Sequence, residues 1–375
     1  MKILHFYKTY FPETFGGAEQ FIYQLARGSS RRGIDAQVLS LTKGGLSYQT
    51  AIYENHRTHR VRQNFELAST GFAFGAFSKF RDLALDSDIV HYHYPWPFAD
   101  VVHFATPVSK PTVLTYHSDI VRQRRLLKLY KPLMRRFLGS VNRIVATSQN
   151  YLDTSDTLKD YREKIEVIPI GLDRSSYPDP DPALIARWRA EFGEKFFLFV
   201  GVLRYYKGLH VLLEAIRGTD YPVVIVGAGP VERELRRHAS EIGVSRLHFL
   251  GALSNRDKSA LFELCHAVVF PSNLRSEAFG ISLLEGAMYG KPMISSEIGT
   301  GTSYVNIHEQ TGLVVAPDDP VALRNAMRQL YENPEMAKDL GRAAQLRYGE
   351  YFTADRMVDR YARLYEELMS PGRQK

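Results

Sequence analysis

A chain of 375 residues is too long for one compact core, so its length predicts two domains of ordinary size. With 45% hydrophobic residues it can bury both cores, and no apolar run approaches membrane-spanning length. The single cysteine, Cys265, excludes an internal disulfide and fits a reducing cytoplasm, while a net charge of +7 raises the question of an anionic partner.

The chain opens directly as a strand over Met1 to Tyr7, without the basic, apolar and small-residue layout of a signal segment. Phe15-Gly16-Gly17-Ala18-Glu19 then starts an amphipathic helix, and Gly16 and Gly17 would let a backbone come close to a phosphate or sugar. Asp88 to His93 and Thr112 to Asp119 read as two further strands ending in histidines. His91 and His93 point to one side, so with His103 and His117 they could be metal ligands or polar residues rimming a cleft. No cysteine and no suitably spaced acid joins them, and no metal is expected. Asp86-Ser87-Asp88 resembles a manganese-binding Asp-x-Asp, but its place before a buried strand predicts a helix end and a strand entry.

From Ile120 to Leu138 the positive charge is concentrated in Arg122, Arg124, Arg125, Lys128, Lys131, Arg135 and Arg136, with no acid among them. Leu126, Leu127, Tyr130, Leu133, Met134, Phe137 and Leu138 recur at helical spacing. Two readings follow: a helix docked on an anionic membrane face, or an ordinary helix packed on its own sheet and kinked at Pro132. Nucleic acid is set aside because no recognised binding module accompanies the charge. A domain boundary is expected near Val167 to Asp173, followed by a linker-like Pro- and Asp-rich stretch from Tyr177 to Pro182.

Beyond the boundary a strand-then-helix rhythm dominates. Phe196 to Leu203 is a buried strand that runs into Arg204-Tyr205-Tyr206-Lys207-Gly208 and a helix from Leu209 to Ile216. A guanidinium and an ammonium at that junction suit a diphosphate. Tyr221 to Pro230 adds a strand with a Gly-x-Gly turn. Glu232 stands where a dinucleotide-binding fingerprint needs its third glycine, which disfavours an NAD enzyme. Cys265 to Pro271 is another buried strand. A loop carrying Glu277 follows it, then a helix from Phe279 to Tyr289 closed by Gly290 and Pro292. The free N–H groups at Phe279, Gly280, Ile281 and Ser282 would welcome an anion. Glu285, about one and a half turns into that helix, could accept from ribose hydroxyls, and Glu277 from a second polyol; as an isolated pair both would more often be solvated surface charges. The last helix is expected from Ala354 to Met369.

Taken in order, Gly201…Arg204…Lys207-Gly208, Val226-Gly227-x-Gly229-Pro230 and Glu277-x-Phe279-Gly280…Glu285-Gly286…Gly290-Lys291-Pro292 resemble the C-terminal domain of retaining glycosyltransferases of family 4. The resemblance covers nearly the whole chain. It implies a GT-B fold of two doubly wound, Rossmann-like α/β domains facing a cleft. The acceptor-side domain would be residues 1–170, completed by a C-terminal helix at about 354–375, and the nucleotide-sugar domain residues 171–353. It implies no cofactor and no metal, only a nucleotide diphosphate sugar as donor: ribose on Glu285, diphosphate on Arg204, Lys207 and the 279–281 helix start, hexose on Glu277. Gly16 and Gly17 would lie against the diphosphate and acceptor, and His117 matches the family's active-site histidine.

Because no side chain presents itself as a nucleophile against the anomeric carbon, the resemblance implies same-face attack with retention. Two departures are visible. The usual Gly-Arg is Gly201-Val202, leaving Arg204 as the substitute, and the usual Gly-Gly-x-x-Glu loop is replaced by Gly299 to Tyr304. The variant looks most like bacterial enzymes adding mannose or rhamnose to O-antigen and related polysaccharides. That implies a GDP-sugar, a lipid-linked glycan acceptor and a cytoplasmic enzyme at the inner membrane face. A UDP-sugar transferase, a GT-B epimerase or phosphorylase and a non-catalytic sugar-nucleotide binder remain as alternatives.

Overall fold

The computed structural model describes residues 1–14, 16–67, 70–120 and 124–370. Arg122, part of the basic segment, and Phe15 lie outside the described residues. The chain divides into two compact units, one of Met1–Gly171 with Ala354–Lys375 and one of Leu172–Thr353.

In the first unit the strands are β1 (Lys2–Phe6), β2 (Asp35–Thr42), β3 (Tyr48–Tyr53), β4 (His56–Arg62), the small pair β5 (Phe65–Leu67) and β6 (Thr70–Phe72), then β7 (Ile89–Tyr94), β8 (Thr112–Tyr116), β9 (Arg143–Ala146) and β10 (Ile165–Val167). They alternate with helices α1 (Gly17–Arg31), α2 (Gly75–Leu85), α3 (Pro97–Ala105), α4 (Arg124–Ser140) and α5 (Gln149–Thr154). Eight of the strands form a sheet in the order β10-β9-β8-β7-β1-β2-β4-β3. Every neighbour pair in it is parallel except β3 with β4. Asp86 and Asp88 serve the expected strand entry: the Lys2 ammonium pairs with Asp86 at 2.8 Å, and the Lys2 N–H donates to Asp88 at 2.7 Å.

The second unit holds α6 (Pro182–Phe192), β11 (Phe197–Val200), α7 (Leu209–Ile216), β12 (Val223–Val226), α8 (Glu232–Glu241), β13 (Leu247–Gly251) and α9 (Asn255–Leu264). It continues with β14 (Ala267–Phe270), α10 (Ile281–Met288), β15 (Met293–Ser296), α11 (Thr302–Val305), β16 (Gly312–Val315), α12 (Pro320–Glu332) and α13 (Pro334–Tyr351). Its six strands, ordered β13-β12-β11-β14-β15-β16, are all parallel. Four-residue strands such as Phe197–Val200 and Ala267–Phe270 are buried at every position, as a sheet covered on both faces requires. The chain then returns to the first unit as α14 (Ala354–Met369), which packs on α1. Among the described residues no helix is long and apolar enough to cross a membrane.

One local expectation changes. The stretch from Tyr177 to Pro182 is no free linker, because Tyr177 folds into the second unit and bonds Glu285. The helix α4 carries Pro132 inside it and continues to Ser140. Met134, Phe137 and Leu138 are buried beneath it, whereas Leu126 and Leu129 stay exposed with Lys128, Lys131, Arg135 and Arg136.

Candidate functional site

Two strand ends of the second unit bring charged side chains together. After β11 the chain makes a short 3-10 turn at Tyr205–Lys207, and Gly208 follows in the left-handed region at φ 66°. A side chain at Gly208 would strike the Pro271 carbonyl, so glycine permits this loop to lie directly on the loop after β14. The Asn273 N–H donates to the Tyr206 carbonyl at 3.0 Å and fastens the two loops together. That contact explains why two residues seventy positions apart meet. The Lys207 ammonium lies 2.5 Å from Glu277 Oε2, with both side chains only 11% exposed. The ammonium also sits 4.6 Å from the centre of the Phe270 ring, a cation–π contact. Ser272 Oγ donates weakly to the same carboxylate oxygen at 3.4 Å.

Glu277 leads into α10. Gly280 caps the helix at φ 92°, a backbone conformation that a side chain would strain. The helix therefore begins at Ile281, two residues later than the apolar spacing indicates. Phe279 is buried against Phe352, so only its backbone is available to a ligand. By the pattern of a helix start, the N–H groups of Ile281 and Ser282 lack intrahelical acceptors and carry the positive dipole end. Ser282 Oγ donates to the Val200 carbonyl at 2.6 Å and fixes the helix start against the end of β11.

Glu285 lies further along α10 and is buried. Tyr177 OH donates to its Oε1 at 3.1 Å, and loss of hydration raises the carboxyl's pKa above the ordinary value. Tyr177 was missed in the sequence, where its proline-rich surroundings read as linker. Arg204 is exposed at the start of the 3-10 turn. Thus Arg204, Lys207, Glu277, Gly280, Ile281 and Glu285 gather in one unit. The loop from Gly299 packs on their base: Gly301 N–H donates to the Ala278 carbonyl at 2.8 Å, and the Arg275 guanidinium donates to the Gly299 carbonyl at 2.8 Å.

The remaining candidates belong to the first unit. Gly16 caps α1 with an extended backbone and Gly17 is the helix's first residue. Beside them Thr9 Oγ1 donates to Glu19 at 2.8 Å. His117 follows β8, nearly buried under Phe21 and Tyr7. Burial, and secondarily the Lys8 charge, lowers its pKa to about 3, so the ring is neutral at ordinary pH. The anticipated histidine grouping is redrawn: His103 stands apart with Tyr92 and Ser140, and His5, not among the expected metal candidates, joins His91 and His93. One ring nitrogen from each of the three lies within 4.8 Å of the others, a spacing that a metal ion could bridge. Both ring nitrogens of His91 and of His93 already have hydrogen-bond partners, leaving only His5 Nε2 open.

Residues 182–347 match the family model of glycosyl transferases group 1, and residues 15–176 match that of glycosyltransferase family 4. The chain is 59% identical to the D-rhamnosyltransferase WbpZ of Pseudomonas aeruginosa over 354 residues, covering 94% of this chain and 93% of that one. It is 50% identical to the O-antigen chain mannosyltransferase C of Escherichia coli over 369 residues, 98% and 99% of the two chains. Among solved structures, a sucrose-phosphate synthase from Thermosynechococcus elongatus superimposes with a TM-score of 0.81 at 20% identity, covering 99% of this chain and 100% of that one.

Proposed function

We propose that this chain, which belongs to the group 1 and family 4 glycosyltransferases and has their GT-B fold, moves mannose or rhamnose from a GDP-sugar to a lipid-linked glycan in bacterial surface polysaccharide synthesis. The observation that carries the donor assignment is the cluster at the start of α10: a buried ammonium, two buried carboxylates and unpaired helix N–H groups in one unit. Its cations and N–H groups suit a diphosphate, and its carboxylates suit sugar hydroxyls. Likeness to a named D-rhamnosyltransferase and a named mannosyltransferase supports the choice of sugar.

Transfer lengthens the bond between the sugar and the diphosphate, and negative charge grows on the leaving oxygen. Lys207 and the N–H groups of Ile281 and Ser282 are already oriented, with the exposed Arg204 guanidinium free to join them, so they stabilise that charge more than the ground state. Glu285, held by Tyr177, would take the ribose hydroxyls. Glu277 would take hexose hydroxyls while remaining the counter-ion of Lys207. Neither carboxylate of the cluster is placed as a free nucleophile for a covalent glycosyl intermediate, because Glu277 is tied to the ammonium and Glu285 to the Tyr177 hydroxyl. Retention, which the family resemblance implies, would then come from same-face attack, with the cations and N–H groups taking the diphosphate's charge without a metal ion. The acceptor is assigned to the first unit, where His117 offers one neutral ring nitrogen to a sugar oxygen.

The exposed face of α4 suits the surface of an anionic membrane, with Leu126 and Leu129 between Lys128, Lys131, Arg135 and Arg136. A panel of GDP-, UDP- and dTDP-sugars tests the donor by thermal stabilisation and by nucleotide release with a lipid-linked glycan. Stabilisation and release confined to GDP-sugars is the expected result; release from UDP-sugars alone would overturn the choice of base.

A further inference from the structure

Central strands of a sheet covered on both faces are ordinarily Val, Ile and Leu. The first unit instead places a polar row there. His5 of β1 stands in register with His91 of β7, and His93 with Thr115 of β8. The two-residue period puts His117, just past β8, on the same face as Thr115. Tyr361 and Tyr365 of α14 and Phe21 of α1 cover the row.

The row splits into two hydrogen-bonded sets. In one, His91 bonds Tyr365 OH and Thr115 Oγ1, each at 2.7 Å, and Thr115 reaches Tyr361 OH at 2.7 Å. Its members satisfy one another. The other is a linear chain of imidazoles. His117 Nε2 lies 3.2 Å from His93 Nδ1, and His93 Nε2 lies 3.1 Å from His5 Nδ1. The rings of successive members are stacked, with centroids 5.4 and 5.3 Å apart.

Three neutral imidazoles carry three N–H groups, and two of these are used inside the chain. The third must sit at one end, on His5 Nε2 or on His117 Nδ1. His5 Nε2 is buried and has no partner among the described residues. An unpaired buried N–H is rarer in proteins than an under-used acceptor. That places the lone pair on His5 Nε2 and runs the donors outward, from His5 Nδ1 to His93 Nε2 and from His93 Nδ1 to His117 Nε2. The terminal N–H then falls on His117 Nδ1. We propose that His93 and His5 are positioning residues that hold His117 as its Nδ1–H tautomer, so that its free nitrogen donates to an acceptor oxygen of the bound sugar or phosphate. Burial supports this by keeping the chain neutral: desolvation lowers His5 and His117 to about 3 and His93 well below the ordinary value. Only the identity of the oxygen rests on the transferase reading.

The test is side-chain nitrogen NMR of the full chain labelled with nitrogen-15 histidine, His117 being assigned by its loss in His117→Gln. In the wild type at neutral pH, His117 Nδ1 is expected to carry the proton and Nε2 to be bare. His93→Phe cuts the chain, so the His117 signals should move toward a mixture of tautomers. His93→Gln can still accept from His5 and donate to His117, and should keep the wild-type pattern. His91→Phe, equally buried on the same strand, serves as the packing control and should leave it unchanged. In turnover, His93→Phe is expected to lower kcat about tenfold with donor KM within about twofold, and His93→Gln to recover most of it. A proton on His117 Nε2 in the wild type, or identical His117 signals in the wild type and His93→Phe, would overturn the relay. If His93→Phe does not fold, the wild-type spectrum decides alone. The spectra need no substrate, so a folded chain that transfers no sugar would refute the transferase reading and leave the relay to be judged on its nitrogens.

Discussion

Replacing Lys207 by Met removes the cation that neutralises Glu277 and leaves a carboxylate of 11% side-chain exposure without a counter-ion. At the observed 2.5 Å separation, the direct attraction is about 7 kcal/mol for an effective dielectric constant of about 20. Desolvation of both groups offsets much of that. The measurable cost is that of stranding Glu277, about 3–5 kcal/mol, because the 3.4 Å contact from Ser272 is too long to compensate. For a unit of this size each kcal/mol moves Tm by about 2–4 °C, so Lys207→Met should melt about 6–20 °C below the wild type. Adding Glu277→Gln removes the stranded charge and should restore most of that stability. The double variant should not regain activity, because both the diphosphate cation and the hexose ligand are then altered. Thermal unfolding of the two single variants and the double variant forms a cycle that isolates the pair. A Lys207→Met protein within about 1 kcal/mol of the wild type, the range of an exposed pair, would refute the claim that the pair is buried and mutually dependent.

Four further outcomes follow from the same geometry. Tyr177→Phe removes the donor to Glu285 Oε1; it should raise the donor KM several-fold and cost about 1 kcal/mol in chemical unfolding. Arg204→Ala should lower kcat with the fold unchanged, since the side chain is exposed; unaltered kcat would remove Arg204 from the site. Changing Lys128, Lys131, Arg135 and Arg136 to Glu should abolish flotation with anionic liposomes at low salt, because each cation contributes about 1 kcal/mol; undiminished flotation would exclude α4 as the contact. His5 and His117 have folded pKa values lowered to about 3 from 6.5. Their neutral forms therefore contribute stability that is fully present above pH 6.5 and is lost as pH falls from 6.5 toward 3. Each proton taken up on unfolding steepens that loss by about 1.4 kcal/mol per pH unit, and denaturant midpoints across this range measure it.

The fold class and the family were legible because their signals are local. Buried runs such as Phe197–Val200 and Ala267–Phe270, each followed by a glycine-marked loop and an apolar helix, announce a parallel sheet without any knowledge of long-range contacts. What stayed hidden depends on which loops touch. Spacing shows Lys207 and Glu277 at two strand ends, but their ion pair requires Gly208 to lie against Pro271. Tyr177 reads as linker because proline and aspartate dominate its neighbours, and only its hydroxyl on Glu285 gives it a place in the site. His5 lies in an opening strand whose register with β7 no local pattern encodes. The alternation of His91 and His93 was the available signal for a shared face. His103, grouped with them as a conceivable ligand, lies on α3 and bonds Tyr92 and Ser140 instead.

The most direct measurement of the proposed reaction combines purified chain, GDP-mannose or GDP-rhamnose, and a lipid-linked glycan acceptor in buffer containing a metal chelator. Release of GDP should match the gain of one sugar mass on the acceptor, and NMR of the product should show the anomeric configuration of the donor preserved. Stabilisation by the sugar nucleotide with no GDP released, or a product of inverted configuration, would contradict the account.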